Sequence, residues 1–92
     1  MLTVGCSLPN GAVVVTSREL HRHDDGEEGV VLAILPNNPT TPYATWRYVA
    51  RPGRPVSTVW GDYFATLEDA LFYYGIRVGD RRPTATQGGA RC

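Results

Sequence analysis

The stretch YATWRYVARPGRPVSTVWGDYFATLEDALFYYGIRVG, residues 43–79, decides most of the fold. Tyr43, Thr45, Arg47 and Val49 alternate with Ala44, Trp46, Tyr48 and Ala50, which is the two-residue period of a strand, and Trp46 and Tyr48 make the inward face. Arg51-Pro52-Gly53-Arg54-Pro55 reads as a turn. Residues 56–60 then form a strand that pairs back on the first, and Gly61-Asp62 breaks the sheet. Thr66 is placed to cap a helix, because its hydroxyl accepts from a free N–H of the first turn. Glu68 and Asp69 follow at the positive end of the helix dipole, Arg77 suits the negative end, and Gly79 serves as the C-cap. Leu67, Ala70, Leu71, Tyr74 and Val78 share one helical face, expected to cover the apolar side of the sheet. Each large side chain buried there contributes about 1.5–3 kcal/mol. Leu71→Ala is accordingly expected to cost about 2–5 kcal/mol.

Working back toward the amino terminus, residues 36–42 carry three prolines and form a stiff extended connection. Residues 30–35 are a strand that Pro36 ends by withholding a ladder donor. Leu2, Val4, Cys6 and Leu8 alternate with small or polar residues, and Asn10-Gly11 tolerates the positive φ of a tight hairpin turn. Residues 2–8 and 12–18 are therefore expected to form a first hairpin. Between it and the next strand lies a polar segment that ends in an acidic, turn-forming tip, Asp24-Asp25-Gly26-Glu27-Glu28-Gly29. Residues 80–92 lack an apolar face and are expected to be a flexible tail. The expectation is one α+β domain over residues 1–79, with a four- to five-stranded antiparallel sheet and one C-terminal helix packed on one face.

Composition narrows the function more than it names it. Ninety-two residues, 42% of them hydrophobic and 20% charged, fit one small globular domain and are too few for two lobes around a cleft. The apolar run at residues 30–35 falls far short of the roughly 20 residues a spanning helix needs. No positively charged segment precedes an apolar stretch at the start of the chain, so a cytoplasmic location with Cys6 and Cys92 as free thiols is expected. The net charge is +0, but residues 1–46 carry two arginines against five acids, and residues 47–92 carry seven against four. That balance excludes a general nucleic-acid coat, which needs a large basic excess.

Chemistry-bearing motifs are few. His21-Arg22-His23-Asp24-Asp25 places two imidazoles on one side of an extended chain, so a metal-dependent hydrolase using His21 and His23 is one alternative, although a third ligand would have to come from elsewhere. Gly-x-Ser-x-Gly is absent, and so is a glycine-rich phosphate loop before a helix. Trp46-Arg47-Tyr48 with Arg51 and Arg54 interleaves aromatics and arginines as nucleic-acid-binding sheets do. On a strand, however, Arg47 points away from both rings. Direct nucleic-acid contact through Arg47, Arg51, Arg54, Arg81 and Arg82 stands as a second alternative. The acidic tip is a solvated turn or an electrostatic knob for a basic groove, and a knob would speed association and make it salt-sensitive.

Trp60-Gly61-Asp62-Tyr63-Phe64-x-x-Leu67-Glu68-Asp69-Ala70-Leu71, preceded by Tyr43-x-x-Trp46-x-Tyr48, resembles a pattern in small proteins of phages and conjugative elements. The resemblance spans residues 43–78 and rests mostly on structural positions. It implies a non-catalytic, cofactor-free inhibitor, of the anti-CRISPR or anti-restriction kind, that occupies the surface of a host protein or ribonucleoprotein complex. The acidic tip is not part of that resemblance; from the charge asymmetry, the expected contacts are Asp24, Asp25, Glu27 and Glu28, with Arg51 and Arg54 next.

Overall fold

A computed structural model describes residues 2–79. Four strands, β1 (Val13–His23), β2 (Gly26–Ile34), β3 (Tyr43–Ala50) and β4 (Ser57–Phe64), precede one helix, α1 (Leu67–Gly79). Each strand pairs antiparallel with its chain neighbour, in the order β1-β2-β3-β4. The fold is the expected α+β sheet with its helix, and the expected tail at residues 80–92 lies outside the described residues.

The alternation along β3 holds. Ala44, Trp46, Tyr48 and Ala50 are all buried in one cluster with Val14, Val31 and Ala33 from the neighbouring strands. The covering element differs from the one expected. Leu2 and Leu8 of the amino-terminal segment join this cluster, so that segment covers the Trp46–Tyr48 face. Helix α1 packs on β2, β3 and β4 from the opposite face, where Val30, Leu32 and Thr45 are enclosed and Ala70 is the buried helix residue. Both faces of the sheet are thus occupied, which is why β2 is buried along nearly its whole length.

Residues 2–8 do not form the expected strand. Ser7 makes an isolated bridge to Val13, and Gly5 and Cys6 exchange single hydrogen bonds with Val14. Gly5 takes a φ of 87° and Val4 is 70% exposed, so the apolar alternation is broken at its second member. The Asn10-Gly11 turn does form: Leu8 N donates to the Ala12 carbonyl, and Asn10 Oδ1 accepts from Ala12 N. The segment is pinned to the sheet instead through Ser17, whose hydroxyl accepts from Leu2 N at 2.9 Å.

Helix α1 begins as expected, with Thr66 Oγ1 accepting from Asp69 N at 3.2 Å. Its buried face is rotated from the expected one. Ala70, Tyr73, Tyr74 and Arg77 turn toward the sheet, whereas Leu67 and Leu71 are 39% and 46% exposed. The cause lies at Arg77, whose Nη2 donates to the Trp60 carbonyl and to Asp62 Oδ2, each at 2.5 Å. Tyr73 packs beside it against Phe64, with ring centroids 5.5 Å apart. These anchors turn the helix about its axis and leave Leu71 at the rim, so the large loss expected for Leu71→Ala is corrected downward.

Candidate interaction surfaces

The polar segment at residues 18–29 is not a loop. It continues β1 to His23, reverses in a two-residue turn at Asp24-Asp25, and returns as β2 from Gly26. Pairing carries Glu27 and Glu28 out of the expected acidic tip and into the sheet. Glu27 is fully buried: its Oε2 accepts from the Tyr48 hydroxyl at 2.7 Å and its Oε1 from Arg22 Nη2 at 3.2 Å. Arg22 also donates to both oxygens of Glu19, which is itself buried. Burial works to raise the Glu27 carboxyl, but hydrogen bonding and nearby positive charge, the Tyr48 hydroxyl and Arg22 guanidinium among them, outweigh it and hold the group below its ordinary range. Burial, reinforced by the bond to Glu27, pushes the Tyr48 phenol far above its usual value. Glu28 is half-buried and bonded to His23 Nε2 at 2.8 Å, with Arg47 at 3.4 Å, and these partners lower its carboxyl. A run of four acids with no apolar alternation conceals this arrangement, because the compensating hydroxyl and guanidinium arrive from other positions in the chain.

Of the six expected contact residues, Glu27 is enclosed within the sheet, and Glu28, about one-third exposed, is paired with His23 and Arg47. The other four gather at one end of the sheet. The β1–β2 turn carries Asp24 and Asp25, the β3–β4 turn carries Arg51 and Arg54, and Arg51 Nε lies 3.5 Å from Asp25 Oδ2. Arg47 is held by Glu28 and by the Trp60 ring, 5.8 Å from its centroid. Arg81 and Arg82 lie outside the described residues.

The most unusual local geometry is on β4. Gly61-Asp62 does not end the sheet, since pairing runs on to Phe64. Trp60 and Gly61 together oppose Trp46, making a β-bulge between the Arg47–Val59 and Thr45–Asp62 pairs. A Cβ at Gly61 would collide with the Trp46 indole, so only glycine lets that ring lie across the strand. Trp46 meets Tyr63 edge-on at 6.0 Å. Trp60 takes a φ of 55°, a left-handed conformation that is a genuine outlier for a bulky residue. Its carbonyl is clamped by Arg77, while its side chain is 71% exposed. Val59 and Tyr63 on the same strand are 45% and 52% exposed, and Phe72 on α1 is 72% exposed. The motif that carries the bulge was visible in the chain, but the outward display of Trp60 goes with its left-handed backbone, whose carbonyl Arg77 holds from across the fold.

His21 and His23 do lie on one side of β1, with stacked rings 6.4 Å apart. Among the described residues, no three His, Cys, Asp or Glu side chains converge to hold an ion, so the metallo-hydrolase alternative lacks a donor set there. Cys6 packs half-buried against the core and is disulfide-bonded. The free thiol expected there is corrected, and the cytoplasmic assignment loses that support. Cys92 lies outside the described residues. No helix among the described residues is long and apolar enough to cross a membrane. Compared with known protein families, with curated proteins and with solved structures, the chain matches none.

Proposed function

We propose that this chain is a non-catalytic protein-binding module that works by occupying the surface of a larger complex, with Trp60 as its anchor. The observation that carries this is the strained, exposed tryptophan. A non-glycine residue held in the left-handed region costs on the order of 1–3 kcal/mol. A side chain 71% exposed returns little of that to folding. Such outliers persist where function needs the displayed group, and tryptophan is among the residues most enriched at the energetic centres of interfaces. Arg47 against the ring stiffens it, which lowers the entropy lost on docking. The resemblance of residues 43–78 to phage and conjugative-element proteins supports a host defence complex, of the CRISPR or restriction type, as the target.

Trp60→Gly tests this without threatening the fold, because glycine accepts a φ of 55° freely. The variant is expected to match or exceed wild-type thermal stability, within about 1 kcal/mol, once relieved strain is set against the lost Arg47 contact. In quantitative affinity capture from host lysate, at least one protein retained by the wild type should fall by tenfold or more. Equal capture of every protein by both forms would reject Trp60 as the anchor. A gel shift at about 50 mM salt separates direct nucleic-acid contact, which would appear there and fade at higher salt.

A further inference from the structure

The β3–β4 connection brings two arginines, Arg51 and Arg54, to the lining of one depression. Arg54 N donates to the Arg51 carbonyl at 3.2 Å, and Gly53 between them has a φ of 73°. With Pro52 before that glycine, this is a type II turn, whose first and last residues are held within about 7 Å at Cα. The turn is stiff because proline fixes one φ and glycine alone accepts the other comfortably. Arg51 and Arg54, with Val49, Pro55 and Ser57, line a depression of about 230 Å³. Drug-sized ligands occupy clefts of about 300–1,000 Å³, so this one has room for a single functional group.

The charges around it are unbalanced. Arg22, Arg47 and Arg77 are each engaged by a carboxylate at 2.5–3.4 Å. Among the described residues, Arg51 has Asp25 alone, at 3.5 Å, and both side chains of that pair are more than half exposed, where an ion pair is worth little. Asp25 borders the neighbouring depression with Arg51, Pro52 and Arg54, and does not line the first one. Two forked cations, an adjacent serine hydroxyl and an apolar wall formed by Val49 and Pro55 match a compact dianion with several acceptor oxygens. A carboxylate would neutralise only one of the two guanidinium groups.

We infer that the Arg51–Arg54 turn and Ser57 form a binding site for a phosphate monoester group. The site lies at the turn end of the sheet and does not depend on Trp60 acting as an anchor. The test is a titration of the full chain, following the arginine Nε–Hε signals by NMR, first with inorganic phosphate and then with a short phosphoserine peptide. Saturable shifts centred on Arg51 and Arg54 are expected, with Arg18, an exposed arginine on β1, unmoved. Arg54→Gln should weaken binding about tenfold or more at unchanged melting temperature, and Asp25→Asn should tighten it by removing a competing anion. Peptide binding more than tenfold tighter than inorganic phosphate assigns the site to phosphorylated protein, and equal affinities assign it to a free small phosphate. Non-saturating shifts, shifts shared equally with Arg18, or full binding by Arg54→Gln would overturn the inference.

Discussion

Replacing Glu27 with alanine removes a carboxylate that has no solvent exposure and takes an acceptor from Tyr48 and Arg22, two of its donors. The Tyr48 hydroxyl loses an acceptor 2.7 Å away in a fully buried position. An unmet buried hydroxyl costs about 1–3 kcal/mol. Arg22 keeps its 2.6 Å bond to Glu19 and is relieved in part. Adding the void left by two methylenes and the carboxyl, the whole loss should reach about 3–5 kcal/mol, the range for breaking a buried charged pair from one side. A domain of this size has about 5–10 kcal/mol in total. At roughly 4–8 °C per kcal/mol, the melting temperature should drop by at least about 12 °C. Urea titration followed by the fluorescence of buried Trp46 measures it, and the midpoint should shift with little change in slope. A double-mutant cycle with Tyr48→Phe should return a coupling of about 1–3 kcal/mol. The pH dependence has a defined sign. The Glu27 carboxyl is depressed from 4.5 in the folded chain, so its stabilisation is complete above that value and disappears as pH falls through the lower folded value. Glu27→Gln should therefore flatten the acid limb of the stability curve. A loss under about 1 kcal/mol for Glu27→Ala, no greater than that of exposed Asp24→Ala, would refute the buried network as a source of stability.

Gly29 lies directly beneath the Tyr48 ring and against the Arg18 carbonyl, and a Cβ there collides with both. Gly29→Ala should destabilise by about 1–3 kcal/mol in the same titration, as overpacking does. Leu71→Ala removes a side chain that is 46% exposed, so its loss should stay below about 1.5 kcal/mol, well short of that for a core leucine. Thr45 is fully enclosed under the helix with its hydroxyl unpartnered among the described residues. Thr45→Val should consequently be neutral or raise stability by about 1 kcal/mol, read from the denaturation midpoint.

Local signals identified the elements that local physics controls. The alternation of Tyr43 to Ala50, the Thr66 cap and the Asn10-Gly11 turn all depend on residues within four positions of one another, and each appears where the chain indicates it. Elements that depend on distant partners carry no such local signal. The acid-rich run at residues 18–29 is strand because pairing with β3 and the Tyr48 hydroxyl complete what Arg22, inside the run, satisfies only in part. Nothing in the run itself announces those partners. Residues 2–8 have a strand's alternation but meet β1 at isolated points, Val13 and Val14 among them, because the left-handed Gly5 interrupts the extended backbone.

The sequence by itself determined an α+β fold of antiparallel strands and one capped helix, because periodicity and capping are encoded within a few residues. It also placed the four turn residues now found at one end of the sheet. Only the tertiary structure decided which cover lies on which face, which acids are enclosed, and that Trp60 is turned outward. Each of those outcomes is set by side chains that meet across the fold: Leu2 and Leu8 in the core cluster with Trp46, Tyr48 on Glu27, Arg77 on the Trp60 carbonyl.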